Sequence, residues 1–251
     1  MSERIKPEGF LRTEAEFEAA KNYAKVFEKS SDDIETKLKN FPKYTRRQDL
    51  TRLLACYEIF KKVLGIKGSI IECGVFRGFG LMAWSNFSAI LEPNNLTRRI
   101  YGFDTFQGFI LPNEKDQNKF RTPEKGDLNS DSYDELLELI RIYDSNRFLG
   151  HVAKTELIKG DVKDTIPNFI KREPHLVISL LFLDFDLYEP TKLAIEHFFP
   201  RMPKGAVIAF DELDNPIWPG ETLALLDTVG INQLKIQRLD FDPYIGFAVL
   251  E

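Results

Sequence analysis

The chain of 251 residues is 43% hydrophobic and 12% aromatic, enough for one sizeable core and too short for two ordinary catalytic domains. Its 34 basic and 39 acidic residues leave a formal charge of -5, so composition supplies no general attraction to nucleic acid or to an anionic membrane. The two cysteines, Cys56 and Cys73, match neither a disulfide framework nor a zinc knuckle, and both are expected to be reduced core thiols.

The chain opens MSERIKPEGF, a charged stretch without the apolar run of a leader peptide. No later window approaches the ~20 apolar residues of a membrane span, so a cytoplasmic enzyme without membrane or nucleic-acid partner is expected. Phe17, Ala20, Ala24 and Phe27 fall at helical spacing across 13–30, and Leu50, Leu53, Leu54 and Tyr57 do so across 46–63. These two helices are expected to form an N-terminal extension, 1–66, that shapes an acceptor pocket or pairs subunits of a homo-oligomer. Residues 67–251 are expected to form the catalytic domain. Segment 69–72 is a short apolar strand closed by a glycine-rich turn, and 81–91 reads as the helix that follows. Further strands are predicted at 99–104, 156–159, 177–184, 206–211, 234–239 and 245–250, with helices between most of them. That alternation predicts an α/β fold, a parallel sheet covered by helices on both faces. The last two strands break it and are expected to form an antiparallel edge hairpin through a turn holding Asp242, Pro243 and Tyr244. The polar segment 109–128 reads as a mobile loop or lid.

The chemistry gathers at strand ends. Glu72-Cys73-Gly74-Val75-Phe76-Arg77-Gly78-Phe79-Gly80 leaves a strand and opens a helix, where glycines admit a ligand to the backbone and the helix start favours a carboxylate. The order Gly74, Gly78, Gly80 puts the wide gap first, unlike the G-x-G-x-x-G dinucleotide fingerprint. Asp104 closes the second strand at its C-terminal end, and its carboxylate suits a ribose diol. Asp161, after Gly160, either accepts a hydrogen bond from an adenine amino group or caps the following turn. Asp184 ends the fourth strand, and Asp211 and Glu212 end the fifth, so the three are expected to converge. Carboxylates so placed repel one another, and a hard divalent cation, magnesium first, resolves the repulsion.

With these motifs the chain resembles the macrocin O-methyltransferase (TylF) family of class I S-adenosylmethionine-dependent methyltransferases. The family comprises magnesium-dependent enzymes that methylate sugar hydroxyls of macrolides and nucleotide-linked deoxysugars. The likeness runs over roughly 44–228 and rests on Ile71-Glu72-Cys73-Gly74-Val75-Phe76-Arg77-Gly78, Asp104-Thr105-Phe106-Gln107-Gly108-Phe109, Lys159-Gly160-Asp161-Val162-Lys163-Asp164-Thr165-Ile166-Pro167 and Leu183-Asp184-Phe185-Asp186-Leu187-Tyr188-Glu189-Pro190-Thr191. It implies that Glu72, Gly74, Val75, Arg77, Gly78, Asp104, Thr105 and Phe106 hold the methionine and ribose parts of S-adenosylmethionine. It further implies that Gly160 and Asp161 hold the adenine, with Asp184 adjoining the cofactor. Asp184, Asp211 and Glu212 would bind Mg2+, Glu212 departing from the family's usual aspartate. Tyr44, Arg47 of Arg47-Gln48-Asp49, Tyr188 and Trp218 of Trp218-Pro219-Gly220-Glu221 would line the acceptor pocket. Glu221 also reads as a first-turn acid beside a helix dipole.

The implied reaction places an acceptor hydroxyl in line with a sulfonium methyl and removes its proton. Asp184 is the expected base as well as a ligand, with Asp186 as the alternative. Of the three histidines, His151 is a candidate for the pocket, while His197 reads as structural. A NAD-dependent nucleotide-sugar dehydrogenase or epimerase would share the sheet and Asp104. It would also be expected to carry a Tyr-x-x-x-Lys pair, and none is expected near the pocket. A non-catalytic nucleotide-binding module is the third reading.

Overall fold

The computed structural model describes residues 13–120 and 122–251; the N-terminal stretch expected to lack a leader signal lies outside the described residues. The chain forms two compact units, one reaching to Leu54 and the other Ala55–Glu251. The first holds α1 (Glu14–Lys29), α2 (Ile34–Lys39) and the start of α3 (Arg47–Lys62), so the boundary falls inside α3, ahead of the 66/67 division expected. Thr13 and Glu16 close a capping box on α1, and Asp33 caps α2, a helix too short for its periodicity to register. Among the described residues no helix is long and apolar enough to cross a membrane.

The second unit continues from α3 through β1 (Ser69–Cys73), α4 (Phe79–Leu91), β2 (Ile100–Asp104), α5 (Tyr133–Asn146), β3 (Thr155–Lys159), α6 (Val162–Arg172), β4 (Ile178–Leu183), α7 (Tyr188–Phe198), β5 (Val207–Phe210), α8 (Gly220–Asp227), β6 (Gln237–Leu239) and β7 (Asp242–Val249). The seven strands lie in the order β3-β2-β1-β4-β5-β7-β6, with β7 antiparallel to both neighbours. The expected hairpin is present, but its turn is Asp240 and Phe241. Asp242, Pro243 and Tyr244 already belong to β7, which pairs on both sides and draws its first residues into the ladder. The chain winds outward from β1 to β3 and then returns to β4, so the loops after β1 and β4 diverge. A cleft at such a switch point is where open α/β sheets place ligands.

Strands β1, β4 and β5 are buried at every position, as central parallel strands covered on both faces are, and β1 and β4 bury Ser69, Glu72 and Ser179 among their apolar residues. On one face α6, α7 and α8 pack around Phe103, Phe169 and Phe198. On the other, Trp84 of α4 meets Phe182 at 5.5 Å. The N-terminal rim of the sheet is locked by Arg98, which is 2% exposed. Its guanidinium donates to the carbonyls of Gly68 (3.0 Å), Val63 (2.8 Å) and Ile66 (3.1 Å), touches Ser179 and pairs with Glu92. A fixed fork with five donors can join strand and loop carbonyls in this way.

Tyr143 ties α5 to α4, its hydroxyl donating to the Ser85 carbonyl at 2.6 Å. Burial pushes that hydroxyl up from the ordinary 10.0 to about 12. The folded-state value is the higher one, so the stabilisation is intact below pH 10 and is lost as pH rises toward 12. Tyr143→Phe should cost about 1 kcal/mol at pH 8 and remove this alkaline loss, both read from urea melts across the pH range.

Candidate functional site

At the C-terminal rim each strand end is fixed by a hydrogen bond to its neighbour. Gly74 N donates to Phe103 O (2.9 Å), Gly160 N to Asp104 O (2.9 Å), Asp184 N to Cys73 O (2.7 Å) and Asp211 N to Leu183 O (2.9 Å). The rim thereby sets Gly160-Asp161, Asp104, Gly74, Asp184 and Asp211 in spatial order. Gly74 sits at φ +96°, and a Cβ there would lie 1.8 Å from the Asp184 carbonyl oxygen. No other residue fits at the switch point.

On the β1–β2 side, Asp104 fixes the glycine loop. Its Oδ2 accepts the Phe76 amide (2.7 Å) and its Oδ1 the Phe106 amide (2.6 Å). Phe76 (φ 50°) and Phe106 (φ 55°) are left-handed without being glycine, and such strain concentrates at working sites. Each Asp104 oxygen keeps a second acceptor position, so a ribose diol can still bind it. The Phe76 carbonyl accepts from Ser130 Oγ (2.8 Å) and Ser132 Oγ (2.5 Å). Gly78 opens α4 at φ 84°, and Glu72 is buried beneath that helix start, 2.4 Å from where a Gly80 Cβ would stand. Val75 is buried, whereas exposed Arg77 lies over the Phe76 ring at 5.3 Å. Thr105 Oγ1 donates to Gly108 O at 2.8 Å, and Phe106 packs on Tyr133 at 5.1 Å. Asp161 caps α6 by accepting the Lys163 amide at 3.0 Å, so the capping alternative is realised.

On the β4–β5 side stands a group of acids. Asp186 is buried and left-handed (φ 61°), a conformation costing roughly 1–3 kcal/mol for a non-glycine residue. Glu221, in the first turn of α8, is fully buried. Its Oε1 accepts the Asp186 amide at 3.3 Å and its Oε2 the Glu212 amide at 3.1 Å. Burial pushes the Glu221 carboxyl well above its ordinary value, the charges of Asp184 and then Asp186 push it further, and the Glu212 amide opposes them. In donor chemistry Asp184, Asp211 and Glu212 suit a hard divalent cation. Among the described residues, however, no three such side chains are grouped to hold an ion, and Glu212 Oε2 turns to Asn215 Nδ2. The sequence signalled Glu221 only as a helix-start acid, because its burial depends on α8 packing against the turn after β4.

Segment 109–128, expected as a mobile loop or lid, holds a short 3-10 turn at Glu114–Asp116 and is stitched across this side. Asp116 accepts the Tyr188 amide at 2.7 Å, and Asn118 Nδ2 donates to Ile217 O at 2.6 Å. Lys115 pairs with Asp227 and lies 3.9 Å over the Tyr188 ring, while Phe109 meets Trp218 edge-on at 5.7 Å. Trp218 is thus buried in the strap's anchor. Tyr188 donates its hydroxyl to Asp227 at 2.8 Å. Tyr188 and Lys192 do have the Tyr-x-x-x-Lys spacing that was not expected near the pocket. The Tyr188 hydroxyl is committed to Asp227, and Lys192 pairs with Glu196 at 3.9 Å, so the pair is not assembled as a hydride-transfer dyad. His151 is exposed in the turn entering β3, at the opposite, N-terminal rim, because the parallel strands separate the two ends. Tyr44 and Arg47 belong to the first unit. There Tyr44 donates to Ser30 Oγ at 3.1 Å and exposed Arg47 pairs with Glu16 at 2.9 Å. Phe109→Ala should release the strap and speed limited proteolysis within 109–128, while costing about 1 kcal/mol beyond lost burial from the ring pair.

The family described as macrocin-O-methyltransferase (TylF) matches residues 43–225. The crystal structure of CalS11, a calicheamicin methyltransferase, superposes with a TM-score of 0.90 at 34% identity, covering 95% of this chain and 93% of that one. The apo structure of CalS11, described as a TDP-rhamnose 3'-O-methyltransferase, gives a TM-score of 0.83 at 33% identity, covering 95% of each chain. Mycinamicin III 3''-O-methyltransferase of Micromonospora griseorubida is 25% identical over 154 residues, 59% of this chain and 56% of that relative's length. The chain therefore spans about half the length of the curated relatives it matches. With most of its length matched by the family and nearly all of it superposing on CalS11, the chain belongs to the macrocin O-methyltransferase family.

Proposed function

We propose that the chain is an O-methyltransferase that moves the methyl group of S-adenosylmethionine to a sugar hydroxyl. Its acceptor would be a nucleotide-linked deoxysugar or a glycosylated natural product. The observation that carries the reading is the two-sided cleft at Gly74. Asp104 is held by two amides on one side of it and the Asp184–Asp186 acids stand on the other. The near full-length likeness to a TDP-rhamnose 3'-O-methyltransferase supports the acceptor class.

Under this reading Asp104 binds the ribose hydroxyls, and the amides of the glycine loop and α4 start face the methionine carboxylate. Asp161 and Gly160 border the adenine. Methyl transfer is an in-line displacement: the acceptor oxygen bonds to the methyl carbon as the carbon–sulfur bond breaks, and S-adenosylhomocysteine leaves. Asp184 takes the hydroxyl proton, with Asp186 behind it. Such proton transfer is worth about 10²–10⁴-fold. Asp184, Asp211 and Glu212 are the residues that would have to draw together to hold a divalent cation, Mg2+ first, which would then lower the pKa of an acceptor hydroxyl. The excess of acid around Glu221 supports that part of the reading.

With TDP-rhamnose and S-adenosylmethionine, mass spectrometry should show the gain of one methyl group. Dialysis against EDTA should abolish the gain and magnesium restore it, and Asp184→Asn should lower kcat by about 10²–10⁴-fold. Full activity in chelator would overturn the cation. Stabilisation by NAD and not by S-adenosylhomocysteine in a thermal-shift panel would overturn the methyltransferase reading in favour of a dehydrogenase.

A further inference from the structure

We propose that Glu221 is a positioning residue: its buried carboxylate clamps the turn after β4 to the turn after β5 and so sets where Asp184 and Asp186 stand against the acceptor. The inference rests on the methyl-transfer reading above.

Three observations carry it. Glu221 is fully buried, and its two oxygens divide between the two turns, Oε1 taking the Asp186 amide at 3.3 Å and Oε2 the Glu212 amide at 3.1 Å. The α8 start approaches the first turn at backbone distance, since a Cβ on Gly220 would lie 2.5 Å from Tyr188 N and 2.6 Å from Asp186 O. Asp186 is left-handed at φ 61°, a backbone state that persists only where its surroundings impose it.

The residue type is informative. Two backbone N–H donors on separate segments require two acceptor oxygens from one side chain, and a carboxyl group of this length offers one oxygen to each turn. Glutamine would turn an NH₂ toward one of the two amides and release one turn. An alanine would release both. Retaining an acid at a fully buried position beside Asp184 and Asp186 runs against their mutual repulsion, so a packing role alone would be served better by an apolar residue.

The test uses the full chain carrying Glu221→Gln, with Glu221→Ala as the harsher variant. Expected for E221Q are a kcat toward TDP-rhamnose at least tenfold lower and a dissociation constant for S-adenosylhomocysteine within threefold of the parent by calorimetry. Amide hydrogen exchange should speed up in peptides covering 184–188 and 211–214, with 71–80 unchanged. Unaltered exchange in both turns, or kcat within twofold of the parent, overturns the proposal. So does a parallel fall of kcat, cofactor affinity and melting temperature, which marks general loosening. If the parent chain transfers no methyl group, the underlying reading fails and takes the positioning role with it, while the exchange result still decides whether the clamp exists.

Discussion

The contact between Gly74 and the Asp184 carbonyl governs the rest of the rim. Two strands that run in parallel must part company at their ends if their loops are to turn opposite ways. Here they part only after the backbones have come as close as the absence of a Cβ allows. Because the approach is backbone to backbone, it fixes Asp184 relative to the glycine loop without depending on any rotamer. The Asp104 carboxylate extends the same logic sideways by holding Phe76 and Phe106 in left-handed conformations, so that strained residues flank the cleft on the β2 side as Asp186 does on the other.

Much of this was legible in the sequence, because it depends on short-range signals. All seven strands were anticipated, since β1, β4 and β5 are mostly apolar runs and the others are bounded by turn residues. Asp104, Asp161, Asp184 and Asp211 were placed at strand ends by counting along the chain. What periodicity missed is of two kinds. Helix α2 has six residues and too little face to show a period. The burial of Tyr188 and Trp218 depends on the loop that crosses them and that of Glu221 on α8 packing against the turn after β4, both matters of long-range packing. His151 shows the reverse case: offered for the pocket from a loop, it lies in the turn that enters β3, at the end of the sheet remote from the cleft.

The two sides of the cleft are built differently. On the β1–β2 side the fixed elements are main-chain amides and glycines, a construction suited to a ligand whose shape does not change. On the β4–β5 side they are side chains: an aromatic edge contact, a lysine over a tyrosine ring and a buried glutamate joining two turns. The segment after β2 closes on itself through backbone bonds such as Gly126 N to Phe109 O and is tied to its neighbours through Asp116, Asn118, Lys115 and Phe109, so its path depends also on the loops it crosses.

Arg98 locks the opposite rim, binding carbonyls of the α3–β1 connection and Glu92 at the end of α4. One consequence concerns how such a protein diversifies. Cohesion concentrated at the end of the sheet remote from the cleft lets insertions and replacements accumulate at the cleft without loosening strand order. A lineage with this arrangement can rewrite the loops on one side of the cleft while inheriting the other side unaltered.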